Sequence, residues 1–378
     1  MDRRCYNCMK EFYIPEGHEN EDNCCPYCGF IENTPPINVT YLRPGVKLNN
    51  RYTVGTVIGA GGFGITYKAW DNTLEMVVAI KEYFPQGIVL RDYTRSESTS
   101  VSVYNVMDDS FMRGKERFLK EARSLAKFNS HPATAAIYDF FEENDTAYIV
   151  MEYLDGCNLK EYMEVAGAPI PLELLYAVTR TVSDVLSEVH SLGLIHRDIS
   201  PDNIFMCKNG LFKLIDFGSV KQGLSDSALS STIIIKHGYA PIEQYSKSGK
   251  IGPWTDIYAL GATIYKLATG VLVKEAVERV ASDDIQDIAS LNYKLPPDFC
   301  HAVMKALSLQ INDRYQNVDD FKKDAFKEDM LKKDSSGAVE EESDNDWVEL
   351  VFPDEADDDW INIDSPDDPE EDWVDLSL

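Results

Sequence analysis

The sequence lacks the long apolar runs and the excess of basic residues that two large classes of protein require. The 378 residues contain no run of about 18 consecutive apolar residues, which argues against a membrane-spanning helix. The 36 Lys and Arg residues are outnumbered by 64 Asp and Glu residues, which argues against binding to nucleic acid or to an anionic membrane. The N-terminus also lacks the apolar stretch of a signal peptide, so we expect a cytoplasmic protein.

Cysteine is scarce except in the first 28 residues, which hold five of the eight cysteines. Cys5 and Cys8 form one Cys-x-x-Cys pair, and Cys25 and Cys28 form a second pair after 16 intervening residues. This spacing is typical of a zinc site in which two tight turns bring four thiolates to one ion. Cys24 is an alternative ligand to Cys25, and free thiols are the alternative to a metal site. Four sulfur ligands leave no open position, so the zinc is expected to be structural.

Composition divides the chain into four parts. We expect a zinc ribbon over residues 1–30, a linker rich in Pro and Asn over 31–50, a globular domain over 51–328 and an acidic tail over 329–378. Within the globular part, β-branched and apolar runs predict strands at Tyr52–Ile58, Met76–Lys81 and Ala147–Glu152. Helical periodicity predicts helices at Glu116–Phe128, Leu172–Leu192, Thr255–Ala268 and Asp298–Leu309. Strands followed by helices indicate an α+β protein with two lobes.

A glycine-rich segment follows the first predicted strand, with glycines at Gly59, Gly61, Gly62 and Gly64. Such a turn lets backbone N–H groups approach phosphate oxygens, because no Cβ stands in the way. A dinucleotide-binding fold would continue into a helix, but residues 65–69 continue as a strand. The next predicted strand ends in Val-Ala-Ile-Lys at Lys81.

Three more motifs follow in order along the chain. They are Ile-His-Arg-Asp-Ile-Ser-Pro-Asp-Asn at Ile195–Asn203, Asp-Phe-Gly at Asp216–Gly218 and Ala-Pro-Ile-Glu at Ala240–Glu243. With the glycine segment and the strand lysine, they resemble the protein kinase family from residue 52 to about residue 328. Lys-Glu-Tyr-Phe-Pro at Lys81–Pro85 and the cysteine cluster resemble the bacterial Hanks-type serine/threonine kinases. The resemblance implies a bilobal protein kinase fold, with a small, mostly β lobe and a large, mostly α lobe.

The resemblance also implies how ATP is held in the small lobe. The glycine segment is expected to cover the phosphates, and Lys81 is expected to contact the α- and β-phosphates while pairing with a glutamate of the first helix. We choose Glu121, because Phe118 and Ala122 recur at helical spacing and place it beside the packed face. Glu116 is expected near the start of that helix, stabilising its N-terminus or facing solvent.

Three further positions are expected to line the adenine site. Met151 ends a predicted strand where the family places the residue at the back of the adenine pocket, and Glu152 and Leu154 fall in the hinge that follows. Simple core filling by a buried methionine is the alternative role for Met151.

The motifs of the large lobe imply the catalytic chemistry. Asp216 and Asn203 are expected to bind magnesium through hard oxygen ligands, and Asp198 is expected to orient and deprotonate the acceptor hydroxyl. Arg197 is expected to meet an anionic group of the activation segment, whose phosphorylation candidates are Ser225, Ser227, Ser230, Ser231 and Thr232. Glu243 and Arg314 are expected to form a structural ion pair.

Two departures from the family pattern stand out. Ser200 occupies a position where serine/threonine kinases of this family usually have a lysine. Either another cation compensates, such as Lys236 or the metals, or turnover is slow. The long interval between Lys81 and Glu121 also implies an insertion around Arg91–Met112.

Two functional hypotheses follow from these motifs. The first is a kinase that transfers the γ-phosphate of ATP to Ser or Thr hydroxyls of protein substrates. The alternative is a pseudokinase scaffold that recruits partners through the zinc ribbon and the tail.

The tail carries an internal repeat. Residues 334–378 contain 19 acidic residues and neither Lys nor Arg, and Trp347, Trp360 and Trp373 recur in it at intervals of 13. Charge runs of this kind are usually disordered and solvated. Exposed tryptophans often anchor interfaces, so three short motifs that dock on a partner or on the chain itself are the alternative to an inert extension.

Overall fold

The structure is a computed structural model. It describes residues 2–14, 24–32, 34–62, 64–91, 99–104, 109–126, 129, 131–216, 221–222, 235–246 and 248–327. The chain divides into two units, one that ends at Leu154 and one that begins at Asp155. The first contains mainly strands and the second mainly helices. The acidic tail, Phe217 and Gly218, and the five phosphorylation candidates lie outside the described residues.

The first unit contains ten strands and one helix among its described residues. They are β1 (Asp2–Arg4), β2 (Glu11–Tyr13), β3 (Lys47–Leu48), β4 (Tyr52–Gly61), β5 (Gly64–Asp71), β6 (Met76–Tyr83), β7 (Val89–Arg91), β8 (Val101–Val103), α1 (Ser110–Leu125), β9 (Ile137–Glu143) and β10 (Thr146–Glu152). Six strands form an antiparallel sheet in the order β3-β4-β5-β6-β10-β9. The short pairs β1-β2 and β7-β8 are separate hairpins.

The three strands predicted for this unit are confirmed, and each extends beyond its predicted bounds at one end or both. The predicted helix begins at Ser110, six residues earlier than expected, and ends at Leu125. Phe118 and Ala122 are buried, which confirms the packed face of α1. Glu116 is exposed as expected, but it lies in the middle of the helix and therefore does not cap it.

The insertion begins with a strand that is fixed by a buried charge. Arg91, the last residue of β7, forms an ion pair with Glu82 of β6, and neither side chain is exposed. Glu82 also accepts hydrogen bonds from the hydroxyls of Tyr67 (2.9 Å) and Tyr148 (2.7 Å). Burial raises the pKa of Glu82, although Arg91 and both tyrosines favour its ionised form. Arg91, where the predicted insertion starts, is therefore anchored in the core of the first unit.

The second unit is built around helices. Its elements are β11 (Gly156–Asn158), α2 (Leu159–Ala166), α3 (Leu172–Ser191), β12 (Leu194–Ile195), β13 (Ile204–Cys207), β14 (Phe212–Leu214), β15 (Lys221–Gln222), α4 (Pro253–Thr269), α5 (Ala276–Ala281), α6 (Ile288–Leu291), α7 (Pro297–Ala306) and α8 (Val318–Ala325). The three helices predicted here are confirmed as α3, α4 and α7. Within the described residues, no helix combines the length and the apolar character needed to cross a membrane.

Helix α4 is the centre of this unit. Thirteen of its seventeen residues are buried, and it contacts α3, α6, α7 and α8. It begins with Pro253, a residue without an N–H group, at a position where the helix offers no partner for one. Gly270 follows its last residue and caps it in the left-handed region (φ 75°). A helix that is buried on nearly every side is a rigid support for the loops packed against it.

Candidate active site and metal centre

The structure brings together the four cysteines of the two Cys-x-x-Cys pairs. The sulfurs of Cys5, Cys8, Cys25 and Cys28 all lie within 4.8 Å of one another. The Sγ atoms of Cys5 and Cys28 are 3.6 Å apart, and those of Cys8 and Cys25 are 3.7 Å apart. Cys24 is exposed and donates its thiol to the carbonyl of Gly29 at 3.2 Å. The cluster therefore contains Cys25 and excludes Cys24.

The two cysteine pairs lie in turns of the same construction. In the first turn, the Cys5 amide donates to Lys10 O (3.0 Å) and the Met9 amide donates to Cys5 O (3.0 Å). In the second, the Cys25 amide donates to Phe30 O (2.8 Å) and the Gly29 amide donates to Cys25 O (2.9 Å). Met9 and Gly29 both have left-handed φ values, 63° and 72°. Because the two turns have the same hydrogen-bond pattern, each directs its two cysteine sulfurs toward a common centre.

The first of these turns packs against strand β4 of the sheet. Thr56 of β4 donates its amide to Tyr6 O (3.1 Å) and its hydroxyl to Asn7 Oδ1 (3.0 Å). The guanidinium of Arg4 lies 3.4 Å from the ring centroid of Trp70. At Gly55 a Cβ atom would lie 2.1 Å from Tyr6 O, so only glycine allows this approach. The cysteine module is thus attached to the strand that leads into the glycine-rich segment.

The glycine-rich segment forms the turn between β4 and β5. Gly61 pairs with Gly64 across the two strands, and Gly62 O accepts from the amide of Gln86 at 2.9 Å. A Cβ at Gly64 would lie 2.5 Å from Glu82 O, whereas no described atom lies within 4 Å of the corresponding position at Gly59, Gly61 or Gly62. Gly64 is therefore required by strand packing, and the other three leave backbone open to a ligand.

Lys81 lies on β6 beside this turn. It is opposite Thr66 of β5 and Ile149 of β10, so its position is fixed by strands on both sides. A Cβ atom added at Gly64 would lie 3.8 Å from Cε of Lys81, so the aliphatic part of the lysine lies next to the glycine-rich segment. Glu121 lies in α1, but its side chain is outside the described part of the structure.

The residues predicted around the adenine ring lie at the end of β10. Met151 is half-buried and packs against the core of the first unit, which fits either role predicted for it. Glu152 donates its amide to Ala136 O (2.8 Å) and accepts from the Ala136 amide at Oε2 (3.2 Å). Leu154, half-buried, is the last residue of the unit.

In the second unit, residues 196–203 form a loop that carries Asp198 and is called the catalytic loop after the role predicted for that residue; it is held by Asp256 of α4. This fully buried carboxylate accepts from the amides of His196 (2.8 Å) and Arg197 (2.7 Å) and bonds to Nε2 of His190 at 2.7 Å. Its pKa is lowered despite burial, because these partners stabilise the charged form. Arg197 has a left-handed φ of 71°, a conformation that the two amide bonds support. Sequence reasoning missed this anchor, whose signal is an Asp in the first turn of the central helix.

Asp198, Asn203 and Asp216 are brought together beside this loop. Asn203 donates its side-chain amide to Asp198 O (2.8 Å), and the amide of Ile215 donates to Asn203 O (2.8 Å). Burial raises the pKa of Asp198 to about 6, Lys236 opposes that shift and Asp216 adds to it. Asp216 is exposed and has a left-handed φ of 57°. The half-buried Asp198 and the exposed Asp216 thus act on each other electrostatically.

Lys236, which comes from a later segment of the chain, contacts Ser200. The ammonium of Lys236 donates to Ser200 Oγ at 2.8 Å and forms an ion pair with Asp202 Oδ2 at 2.6 Å. Lys160 is a second, longer partner of Asp202 at 3.7 Å. The pKa of Asp202 is lowered despite burial, mainly by Lys236. The ammonium group of Lys236 therefore lies against the loop, whose own sequence has no lysine between Asp198 and Asn203.

The predicted ion pair between Glu243 and Arg314 is confirmed. It is bidentate, with distances of 2.7 and 3.1 Å, and both side chains are buried. Glu243 also accepts from Thr255 Oγ1 at 3.0 Å. Arg314 further donates to the carbonyls of Ser308 (2.6 Å) and Leu309 (2.8 Å). The pair ties the segment after the activation loop to the start of α4.

Comparison with known proteins agrees with this arrangement. The family described as "Protein kinase domain" matches residues 52–336. Serine/threonine-protein kinase PrkC of Bacillus subtilis (strain 168) is 32% identical over 298 residues, which are 76% of this chain and 42% of PrkC. Serine/threonine-protein kinase PknL of Mycobacterium tuberculosis is 30% identical over 282 residues, 72% of this chain and 64% of PknL.

Solved structures give the same result. The chain is similar to a structure titled "PpkA-294 apo form", with a TM-score of 0.67 and 34% sequence identity over 76% of this chain and 99% of that one. By contrast, the chain spans only about two fifths of the length of PrkC.

Proposed function

Because the chain belongs to the protein kinase family, we propose that it transfers the γ-phosphate of ATP to serine or threonine hydroxyls of protein substrates. The observation that carries the proposal is the group formed by Asp198, Asn203 and Asp216. Asn203 bonds to Asp198 O through its side chain and accepts from the amide of Ile215, the neighbour of Asp216, through its carbonyl, so the chain's own hydrogen bonds link the three residues.

Nucleotide binding is assigned to residues of the first unit. The space beside the backbone of Gly59, Gly61 and Gly62 is open, so phosphate groups can approach it, and Lys81 beside this segment supplies positive charge. We propose that Glu121 of α1 pairs with Lys81, and that Met151, Glu152 and Leu154 line the adenine ring. Phosphoryl transfer needs positioning and electrostatic stabilisation more than covalent chemistry, and these are groups of that kind.

Magnesium fits the donor set of the second unit. Asp216 offers an exposed carboxylate, and the Asn203 amide nitrogen is occupied by Asp198 O, which leaves the amide oxygen as the ligand atom. Both are hard oxygen donors, as Mg²⁺ requires. When bound, the cation would neutralise charge on the β- and γ-phosphates.

Asp198 is assigned the acceptor side of the reaction. Its carboxylate would accept a hydrogen bond from the substrate hydroxyl, orient the oxygen toward the γ-phosphorus and take up the proton as the new bond forms. With a pKa of about 6, the group is mostly ionised at neutral pH and remains basic enough to receive a proton.

Transfer of label from γ-labelled ATP tests this proposal. The purified chain with Mg²⁺ or Mn²⁺ should label itself or a Ser/Thr peptide, and hydrolysis should release labelled phosphoserine or phosphothreonine. Asp216→Asn should abolish the label. No label from the wild-type chain with either metal would favour the pseudokinase scaffold instead.

We also propose that the cysteine cluster binds one structural zinc. Tetrahedral sulfur ligands at about 2.3 Å from zinc lie about 3.8 Å from one another. The separations of 3.6 and 3.7 Å in the cluster fit that geometry. Elemental analysis should find one zinc per chain, and Cys25→Ser should lose it. Cys24→Ser is the matched control and should keep it; equal zinc in both variants would refute the assignment.

For the tail we propose docking through Trp347, Trp360 and Trp373, on a partner or on the chain itself. The support is the repeat of the sequence, in which each tryptophan follows an aspartate and precedes alternating apolar residues. If the tail inhibits the chain by self-docking, deletion of residues 334–378 should raise the rate toward a basic peptide. Replacing only the three tryptophans by alanine should do the same, because the charge is retained; unchanged kinetics in both would exclude self-inhibition.

A cytoplasmic location completes the proposal. None of the eight cysteines forms a disulfide, which is typical of proteins in a reducing compartment.

A further inference from the structure

The catalytic loop lacks a positive charge of its own where one is needed. Between Asp198 and Asn203 its sequence is Ile-Ser-Pro-Asp, and Ser200 can donate a hydrogen bond but carries no charge. Negative charge is spread over the three equatorial oxygens of a phosphoryl group in transfer, and fixed cations stabilise it strongly. A kinase with this loop must therefore obtain the charge from another part of the chain or turn over slowly.

Lys236 is held at this place by its own segment. Its carbonyl accepts from the amides of Tyr239 (3.1 Å) and Ala240 (3.0 Å), which closes a turn. The next residue, His237, bonds through Nδ1 to Glu275 at 2.5 Å. The preceding Ile235 is buried. The lysine is thus anchored on both sides, and its ammonium reaches Ser200 and Asp202 from a fixed backbone.

The ammonium has capacity for a further partner. It carries three N–H donors, of which one is directed to Ser200 (2.8 Å) and one to Asp202 (2.6 Å). Within the described residues, no third acceptor is assigned to it. Its side chain is 20% exposed, so a phosphate oxygen can reach it.

We propose that Lys236 is a catalytic residue that binds the γ-phosphoryl group during transfer and supplies the charge that Ser200 cannot. This inference rests on the proposed kinase function. The acceptor oxygen forms a bond to the γ-phosphorus and its proton passes to Asp198. The bond from phosphorus to the bridging oxygen breaks, and its electron pair stays on ADP. Lys236 keeps its proton throughout and donates a hydrogen bond to a γ-phosphate oxygen.

A purely structural role would not need this particular lysine. Asp202 already has a second cationic partner in Lys160, so its charge does not by itself require Lys236. Lys236 also acts on Asp198, because its charge opposes the effect of burial on that carboxylate. The lysine therefore interacts with the reacting residue as well as with the loop.

The test moves the positive charge from residue 236 to residue 200. Lys236→Met should lower kcat by about 10²- to 10³-fold, the range seen when one transition-state donor is removed. The dissociation constant for ATP, measured by calorimetry, should stay within about threefold, because the interaction is strongest in the transition state. Introducing Ser200→Lys into the Lys236→Met chain should recover at least about tenfold in kcat, since it restores an ammonium at the same place.

Control variants separate charge from folding. Lys236→Gln retains a hydrogen-bond donor toward Ser200 and Asp202 but no charge, and it should lose kcat as Lys236→Met does. Lys160→Met removes the other cation near Asp202 and should leave kcat within about threefold, since a surface ion pair contributes little. Asp202→Asn removes the ion pair and should retain much more activity than Lys236→Gln.

The outcomes are distinct. If the wild-type chain transfers phosphate and Lys236→Gln does so equally well, the inference is wrong while the kinase function stands. Loss in Lys236→Gln that is matched by Asp202→Asn and not rescued by Ser200→Lys would show that the lysine only holds the loop. A wild-type chain without any transfer would instead overturn the proposed function itself.

Discussion

The two units of the chain hold their functional residues in different ways. In the first, Lys81 and the glycine-rich segment are placed by strand register, and the cysteine cluster is placed by two equivalent turns. In the second, the catalytic loop is held by charged side chains, above all the buried Asp256 and the half-buried Lys236. In a sheet, many backbone hydrogen bonds together fix the position of a residue. A loop held by one buried carboxylate depends on that single group.

This difference determines which substitutions should matter. Loss of the Asp256 charge in the second unit should displace catalytic groups directly, because Asp256 accepts from the amides of two successive loop residues. Loss of a buried charge in the first unit should lower stability more than activity, because strand register remains. Each unit contains a buried ion pair with which this can be tested, Glu82–Arg91 in the first and Glu243–Arg314 in the second.

The largest effect is expected for Asp256→Ala. The substitution leaves the amides of His196 and Arg197 buried without their acceptor, so Asp198 should move from its place. We expect kcat to fall by at least about 10²-fold, since misplacement by about 1 Å can cost that much. Steady-state kinetics would measure it. Asp283→Ala, which removes a half-exposed partner of Arg279, is the control and should keep kcat nearly unchanged.

Arg314→Met should have the next largest effect, on stability. Removing one partner of a buried ion pair costs about 3–5 kcal/mol, because the remaining charge stays buried. Here the carbonyls of Ser308 and Leu309 lose their donor as well. Urea denaturation measures the change. Combining Arg314→Met with Glu243→Met should recover part of the loss; full additivity would mean that the pair is not coupled.

Arg91→Met should destabilise the first unit less, by about 2–3 kcal/mol. Glu82 then remains with Tyr67 and Tyr148 as donors, and because burial already raises its pKa, it can take up a proton and lose its charge. The phosphate-transfer rate of the folded fraction should be unchanged. A clear fall in the transfer rate of the folded fraction would contradict the expectation that loss of this charge lowers stability more than activity.

The smallest effect is a pH dependence. Asp198 must be ionised to receive the proton, and burial raises its pKa to about 6, with Lys236 and Asn203 opposing the shift and Asp216 and Asp202 adding to it. Protonation below that value removes the base, so kcat/KM should be about half-maximal at pH 6 and about tenfold lower at pH 5. A profile that stays flat down to pH 5 would contradict the role of Asp198.

Much of the fold could be predicted from sequence, because the predicted strands and helices follow clear apolar periodicity. The cysteine cluster and the Glu243–Arg314 pair were accessible for another reason, since their spacing or motif identifies the partners. The start of α1 was missed although Phe111 is apolar and buried, because Gly114 is a poor helix former and residues up to Met112 were predicted to belong to an insertion.

Long-range contacts were harder to foresee. The anchor at Asp256, the Glu82–Arg91 pair and the contact of Lys236 with Ser200 each join segments whose proximity only the tertiary fold determines. For Ser200 the sequence indicated that a charge was missing. The sequence alone left Lys236 as one of several possible sources of that positive charge.

The central claim is that the chain binds ATP together with Mg²⁺. Calorimetric titration of the full chain with a non-hydrolysable ATP analogue and Mg²⁺ tests it most directly. One nucleotide should bind per chain, Lys81→Met should weaken binding, and Asp216→Asn should remove its dependence on Mg²⁺. Absence of binding by the wild-type chain, or binding that only one of the two substitutions affects, would contradict the claim.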